Sequence, residues 1–331
     1  MCHCRMLILS IVSLLSVPSV ASDYDLNYMS LNFENDVFYR EDNGYSNGVA
    51  LKWGYYDVGY LDQNNLPRWI AYLAENSYLN TLPDRQYDIH YTFGQFLQTA
   101  NDLSTSSLIE DDAPYVGLLA WQVSALAANE YIADELNLTL GLVGPAAKAE
   151  YVQTHLHDWI SATEPEGWDN QIDNEFVFKI QAQRLWRNYT FQLPITEMDF
   201  ITGVNAGVGN LGSDINVGMG LRWGQSLAAN FASSSPFIVQ KLNGLKASPY
   251  GWYAFANLSA GYVFNDIFID GNTFHNSHHV ELINWQAGMA IGAQVNLYNW
   301  NFLYSMIYTT DQYEDQSDEV RWGNITITYH F

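Results

Sequence analysis

Three short segments bring together the side chains from which acid–base, nucleophilic or metal-assisted chemistry is built. Glu34-Asn35-Asp36 sets an amide between two carboxylates. Gly44-Tyr45-Ser46-Asn47-Gly48 offers a hydroxyl among turn residues, and Tyr151-Val152-Gln153-Thr154-His155-Leu156-His157-Asp158-Trp159 carries two histidines. If that third segment is helical, Gln153 and His157 share a face at i, i+4, and His155 points away from it. Two histidines two apart are wrong for a helical metal pair, though usable on a strand. Each segment also has a bland reading: a solvated strand end, a turn, a pair of loop histidines. His275, His278 and His279 read as solvated loop residues. There is no H-E-x-x-H and no Walker loop.

The elements that must position these residues alternate with period two. Met29, Leu31 and Phe33 alternate with Ser30, Asn32 and Glu34; Val49, Leu51, Trp53 and Tyr55 alternate with Gly48, Ala50, Lys52 and Gly54. Tyr87, Ile89, Tyr91 and Phe93 alternate with Asp88, His90, Thr92 and Gly94, and further runs cover 114–127, 135–144, 174–187, 200–209, 213–224, 250–264, 279–296, 299–309 and 320–331. That makes 12 strands, an even number, each near or above the roughly 9–11 residues of a tilted membrane-spanning strand. Strands of a soluble sandwich cluster near about 5–6 residues. Aromatics stand toward strand ends (Trp53, Tyr55, Tyr56, Trp121, Trp186, Trp223, Trp252, Tyr253, Trp300, Tyr308, Trp322), as in interfacial girdles. The expected fold is all-β, a 12-stranded antiparallel transmembrane β-barrel with a short helix in the loop that carries His157. Asp36 and Ser46 then fall on the inward parity of their strands.

Composition narrows the class. Thirty-six acidic against 13 basic residues give a net charge of −23, which argues against nucleic acid because phosphate binding needs clustered Lys and Arg. Aromatics make up 15% of the chain, too many for a disordered acidic polymer. Mean hydropathy is −0.14, and beyond residue 22 no stretch approaches the ~18 continuous apolar residues of a spanning helix. Arg5, the apolar stretch Met6 to Val17 and Ser19-Val20-Ala21 read as a signal peptide cleaved after Ala21. Residues 1–21 are thus a signal peptide and 22–331 the barrel domain, free of cysteine because Cys2 and Cys4 leave with the leader.

Long connections are expected at 57–85, 98–112, 145–173, 225–249, 265–278 and 310–319, with a short helix within Leu66 to Leu79. The tight Gly209-Asn210-Leu211-Gly212 reads as a periplasmic turn. The chain ends Thr326-Ile327-Thr328-Tyr329-His330-Phe331, similar to the C-terminal signature that outer-membrane barrels present to their assembly machinery.

Several motifs in this order and spacing resemble one family. They are Asn35-Asp36, Tyr45-Ser46-Asn47-Gly48, Gly94-Gln95, Asp112-Ala113-Pro114-Tyr115-Val116-Gly117, Gly144-Pro145, and Val152-Gln153…His157…Gly167-Trp168-Asp169-Asn170-Gln171. The family is the outer-membrane lipid A 3′-O-deacylases of LpxR type, and the match is densest over 28–176. The resemblance implies a monomeric 12-stranded barrel in the outer membrane of a Gram-negative cell. It implies a calcium-dependent ester hydrolase acting on lipid A or lipopolysaccharide. By matching, His157 is the general base that activates water, and Asn35 and Asp36 stand on the Ca²⁺ side. Ser46 and Gln153 complete the active site.

The sequence departs from the family pattern in three places. Thr163 and Pro165 stand where some members carry an acid and a tyrosine. The loop 98–112 has no Lys or Arg where the family has a lysine, which leaves cation bridging or another residue, Lys52 or Lys148, to bind phosphate. Asp112-Ala113-Pro114-Tyr115 lacks the arginine of the family's version. Two other readings compete: a phospholipase with Ser46 as nucleophile and His157 as its base, and a porin or structural barrel without chemistry.

Overall fold

The computed structural model describes residues 25–35, 47–62, 66, 68–160, 164–231, 234–237, 250–316 and 320–331. The proposed leader, Asp36, Ser46 and Thr163 lie outside them. Twelve strands run β1 (Tyr28–Asn35), β2 (Asn47–Tyr55), β3 (Gln86–Gln98), β4 (Val116–Ala128), β5 (Ile132–Val143), β6 (Glu175–Gln192), β7 (Glu197–Val208), β8 (Gly212–Gly224), β9 (Tyr250–Asp266), β10 (Trp285–Leu297), β11 (Trp300–Thr309) and β12 (Val320–His330). Each pairs antiparallel with its neighbours in sequence, and β1 pairs with β12 from Tyr28↔His330 to Asn35↔Gly323. Closure leaves no strand edge unpaired.

The pleat sorts side chains as the alternation requires. Leu31, Ile180, Val217, Met219 and Leu258 stand about half exposed on the outer wall, while Ser30, Asn32, Glu34, Lys52, His90, Asn205 and Thr328 are buried inside. No helix among the described residues is long and apolar enough to cross a membrane. The lumen is spanned by polar side chains bonded to one another. Ser30 Oγ meets Thr328 Oγ1 at 2.8 Å, Tyr253 donates to Gln294 Oε1 at 2.8 Å, and Thr139 donates to Gln122 Oε1 at 3.0 Å. Arg222, 1% exposed, gives two bonds to Asp199 (2.9 and 2.6 Å), one each to the carbonyls of Asn230 and Leu227, and one to Ser234 Oγ. Two of the expected girdle aromatics instead turn inward: Tyr253 and Trp322 are buried, because their register puts them on the lumen parity.

Antiparallel closure also corrects the placement of the turns. The connection 209–211 follows β7, so it lies at the same end as the connections after β3 and β5 and not at the end with the chain termini. Asn210 Nδ2 donates to Glu175 Oε1 there (3.1 Å), and Ile267 N to the Leu211 carbonyl. The long 56–85 and 225–249 connections sit at the opposite, terminal end. Loop length does not fix the end; strand count does.

Among the described residues three helices decorate the barrel: α1 (Arg68–Glu75), α2 (Ala149–Ile160) and the single turn α3 (Ile267–Asp270). The helix expected within 66–79 is α1, followed by a 3₁₀ turn at Tyr78–Thr81. It packs on the outer wall: Ile70, Ala71, Ala74 and Leu79 form one buried cluster with Tyr87, Ile89, Val123 and Ala127 of β3 and β4.

Candidate functional site

Helix α2 crosses the outer wall at the rim away from the termini. It begins where β4 carries Gly117, whose position leaves no room for a side chain because a Cβ there would run into Ala149. Gly144 N donates to the Gly117 carbonyl at 2.9 Å, and Gln95 Nε2 to the Ala147 carbonyl at 2.6 Å, fixing the approach. Lys148, φ 59°, makes the left-handed corner from which the helix starts. Leu97, Ala100, Tyr115, Ala149 and Trp168 pack together beneath it, the last with Tyr115 edge-to-face at 5.1 Å.

The helix has two faces. Gln153 (1% exposed) and His157 (7%) lie on the buried one, whereas Tyr151, Val152 and His155 face outward. His155 stacks on Tyr151 at 4.0 Å between ring centroids and bonds back to its carbonyl. The i, i+4 reading of Gln153 and His157, with His155 opposite, therefore holds. Trp168 Nε1 donates to Gln153 Oε1 at 2.9 Å, leaving Gln153 Nε2 buried with no hydrogen-bond partner among the described residues.

Register relates the other candidates to this helix. Asn35 pairs with Asn47, Asn47 with Leu97, and Leu97 with Gly117, one row across β1 to β4. At about 4.8 Å per strand the row spans roughly 14 Å. The eight steps from Ala149 to His157 rise about 12 Å, and α2 packs on β3 as well as β4, so it heads from Gly117 toward Asn35 and Asn47. Asn35 and Asn47 share the outer-wall parity of Phe33 and Val49, yet both are buried. Asn47 Oδ1 has no hydrogen-bond partner among the described residues. Asn47 belongs with the candidates; only its parity beside Val49 and Leu51 could have singled it out from sequence.

Gly44-Tyr45-Ser46-Asn47-Gly48 also has G-x-S-x-G spacing. A nucleophile elbow needs a strand-to-helix turn, and here Asn47 opens a strand, β2.

Of the two lysines weighed for phosphate, Lys52 is excluded by position. It is 6% exposed on the lumen side of β2, five residues and about 16 Å down the strand from Asn47. Lys148 is exposed at the start of α2. Pro165 is buried close in sequence to Trp168.

Asp112, in the motif before β4, ties three loops together. Its carboxylate accepts from Asn101 N and Ala113 N at 2.7 Å each and from Tyr313 Oη at 2.9 Å, and its carbonyl meets His278 Nε2 at 2.8 Å. His278 is thus a loop clasp. Burial and the neighbouring Asp112 carboxylate push the Tyr313 phenol well above its ordinary range.

As for metals, no group of three or more His, Cys, Asp or Glu side chains gathers among the described residues. Among the described residues the amides of Asn35 and Asn47 are oxygen donors at this rim, and Asn47 Oδ1, which has no partner among them, suits a hard cation, which takes oxygen ligands. A cavity of about 240 Å³ lies on the other side of the wall, in the lumen, lined by Gln122, Thr139, Lys179, Asp214 and Trp322 among others. None of Asn35, Gln153 and His157 reaches it.

A closed antiparallel barrel with an apolar outer wall, a hydrogen-bonded polar interior and a rim helix that buries Gln153 and His157 is an outer-membrane β-barrel protein. The chain matches the family model described as outer membrane protein LpxR over residues 7–331, and it belongs to that family. LpxR from Salmonella typhimurium has the same fold, with a TM-score of 0.75 at 16% identity, covering 92% of this chain and 100% of that one. The β domain of the Bordetella autotransporter Brka aligns at 9% identity and TM-score 0.46, covering 92% and 99% of the two chains. No curated protein sequence matches the chain.

Proposed function

We propose that the protein is a lipid A deacylase of the outer membrane, hydrolysing the 3′-linked acyloxyacyl ester with water activated by His157. The observation that carries the reading is the side of the wall on which the candidates lie. Gln153 and His157 face the outer surface of the barrel at one rim, where acyl chains of a membrane lipid run, and not the lumen cavity. A substrate anchored in the bilayer would reach these residues without leaving the membrane.

In the proposed reaction His157 removes a proton from water as the water oxygen bonds to the ester carbonyl carbon. The C–O bond to the sugar 3′-oxygen then breaks, and the imidazolium returns the proton to that oxygen. A neutral imidazole suits this task near pH 7. Gln153, held by Trp168, would orient the water or the ester through its Nε2, which has no partner among the described residues. Asn35, Asp36 and Asn47 would hold Ca²⁺, which when bound supplies a hard Lewis acid for the carbonyl oxygen. Lys148 is the proposed contact for lipid A phosphate. Export through the cleaved leader, assembly by way of the exposed terminal Phe331 and action as a monomer complete the reading.

The test is mass spectrometry of lipid A incubated with the folded protein in Ca²⁺ or in EDTA. Loss of the 3′ acyloxyacyl chain in Ca²⁺ alone, abolished by His157→Ala, is the expected result. An unchanged lipid mass with the barrel shown to be folded overturns it.

A further inference from the structure

The outer wall is lipid-facing nearly everywhere, except over β3 to β5 near the terminal end. There the outward residues Ile89, Val123 and Ala127 are 1%, 5% and 0% exposed, against 50% for Leu31 and 52% for Leu258 on other strands. What covers them is α1 and the turn after it. A strap that merely shielded the wall from water would turn charge outward. This one does not. The face of α1 away from the barrel carries Trp69, Tyr72 and Leu73, at i, i+3 and i+4, exposed by 49%, 67% and 55%. Its charges, Arg68 and Glu75, are confined to the helix ends. Tyr60, 65% exposed, extends the patch.

This surface is continuous with the lipid-facing wall. Trp53 stacks on Tyr91 at 5.7 Å, Tyr91 meets Trp121 at 6.1 Å, and Trp121 meets Trp69 at 6.1 Å. One unbroken series of rings thus runs from β2 through β3 and β4 onto the helix. A helix apolar on both faces is stable only between two apolar surroundings, and the barrel supplies one.

We propose that α1 lies within the membrane, its outer face of Trp69, Tyr72 and Leu73 packed against the acyl chains of the leaflet nearest the chain termini. The strap then replaces lipid against β3 to β5 and presents its own aromatic surface to the next shell of lipid, as interfacial helices do.

The experiment uses the full chain with Cys2→Ser and Cys4→Ser, spin-labelled at Tyr72→Cys or Leu73→Cys, in phosphatidylethanolamine–phosphatidylglycerol vesicles. Leu258→Cys on β9 is the lipid-facing reference and Ser104→Cys in an exposed loop the aqueous one. Labels on α1 that match Leu258→Cys, open to oxygen and shielded from a water-soluble nickel chelate, are the expected result. Labels that match Ser104→Cys overturn the proposal, as does dipolar coupling between labels of two molecules, which would make a second copy the occupant. A label-free measurement covers variants that fail to fold. Vesicles of acyl-brominated phospholipid should quench the emission lost in Trp69→Phe, and no difference in quenching between the two proteins overturns the proposal equally.

Discussion

The indole N–H of Trp168 donates to Gln153 Oε1 at 2.9 Å, from a 3₁₀ turn fifteen residues further along the chain to the buried face of α2. This bond fixes the amide, whose buried Nε2 has no hydrogen-bond partner among the described residues. Trp168→Phe keeps most of the apolar volume and the contact with Tyr115 but removes the donor. A lost buried hydrogen bond costs about 1–3 kcal/mol, so deacylation is expected to fall roughly tenfold with the barrel intact. Initial rates on lipid A, with heat-modifiable electrophoretic mobility as the folding control, check this. An unchanged rate would mean that Gln153 does not depend on Trp168.

Ser46 and His157 separate the two hydrolytic schemes. With water as nucleophile, Ser46→Ala slows turnover and His157→Ala removes it, a general base being worth about 10²–10⁴-fold. With a Ser-His dyad, Ser46→Ala is as inactive as His157→Ala, and an acyl-enzyme can be trapped. Rates of the two variants on lipid A and on a phospholipid, side by side, decide between them.

Asp199 sits between Arg222 and Arg187, accepting at 2.6 Å from each, and is fully buried. Asp199→Asn removes the carboxylate shared by two guanidinium groups inside the barrel, leaving Arg187 only its 3.5 Å contact with Glu197. Removing one partner of a buried ionic cluster costs about 3–5 kcal/mol, and the urea midpoint of unfolding in detergent is expected to drop accordingly. A variant as stable as the parent would show that water screens this part of the lumen.

Tyr313 gives a pH dependence with a definite sign. Its phenol is pushed up by burial first and by Asp112 second. Below the ordinary phenol value of 10.0 the phenol is neutral in both states, and the stabilisation is fully present. As pH rises past that value the unfolded chain ionises before the folded one, so stability is lost progressively. Tyr313→Phe should unfold more easily at neutral pH, having lost the bond to Asp112, while its stability falls less steeply in alkali. Unfolding midpoints between neutral and strongly alkaline buffer would show the two curves converging; parallel curves would contradict the assignment.

Much of this molecule is written in local pattern. The alternation at Met29 to Phe33 and Val49 to Tyr55 fixes which side of each strand meets lipid, because successive side chains must point to opposite faces. The spacing of Gln153 and His157 puts them on one helix face for the same kind of reason, a period of 3.6 residues. The family motifs are likewise legible without coordinates.

Other features depend on which strands become neighbours, and no local period encodes that. Strand order puts the 209–211 turn at the end that bears α2, and register turns Tyr253 and Trp322 inward. The row from Asn35 through Asn47 and Leu97 to Gly117 exists only once β1 to β4 pair in register. Lys52 could be weighed as a phosphate ligand from sequence, but register buries it in the lumen far from α2. The sequence determined what each strand and helix shows to its surroundings; tertiary pairing decided which of those faces meet and bring Gln153 and His157 to the row of Asn35 and Asn47.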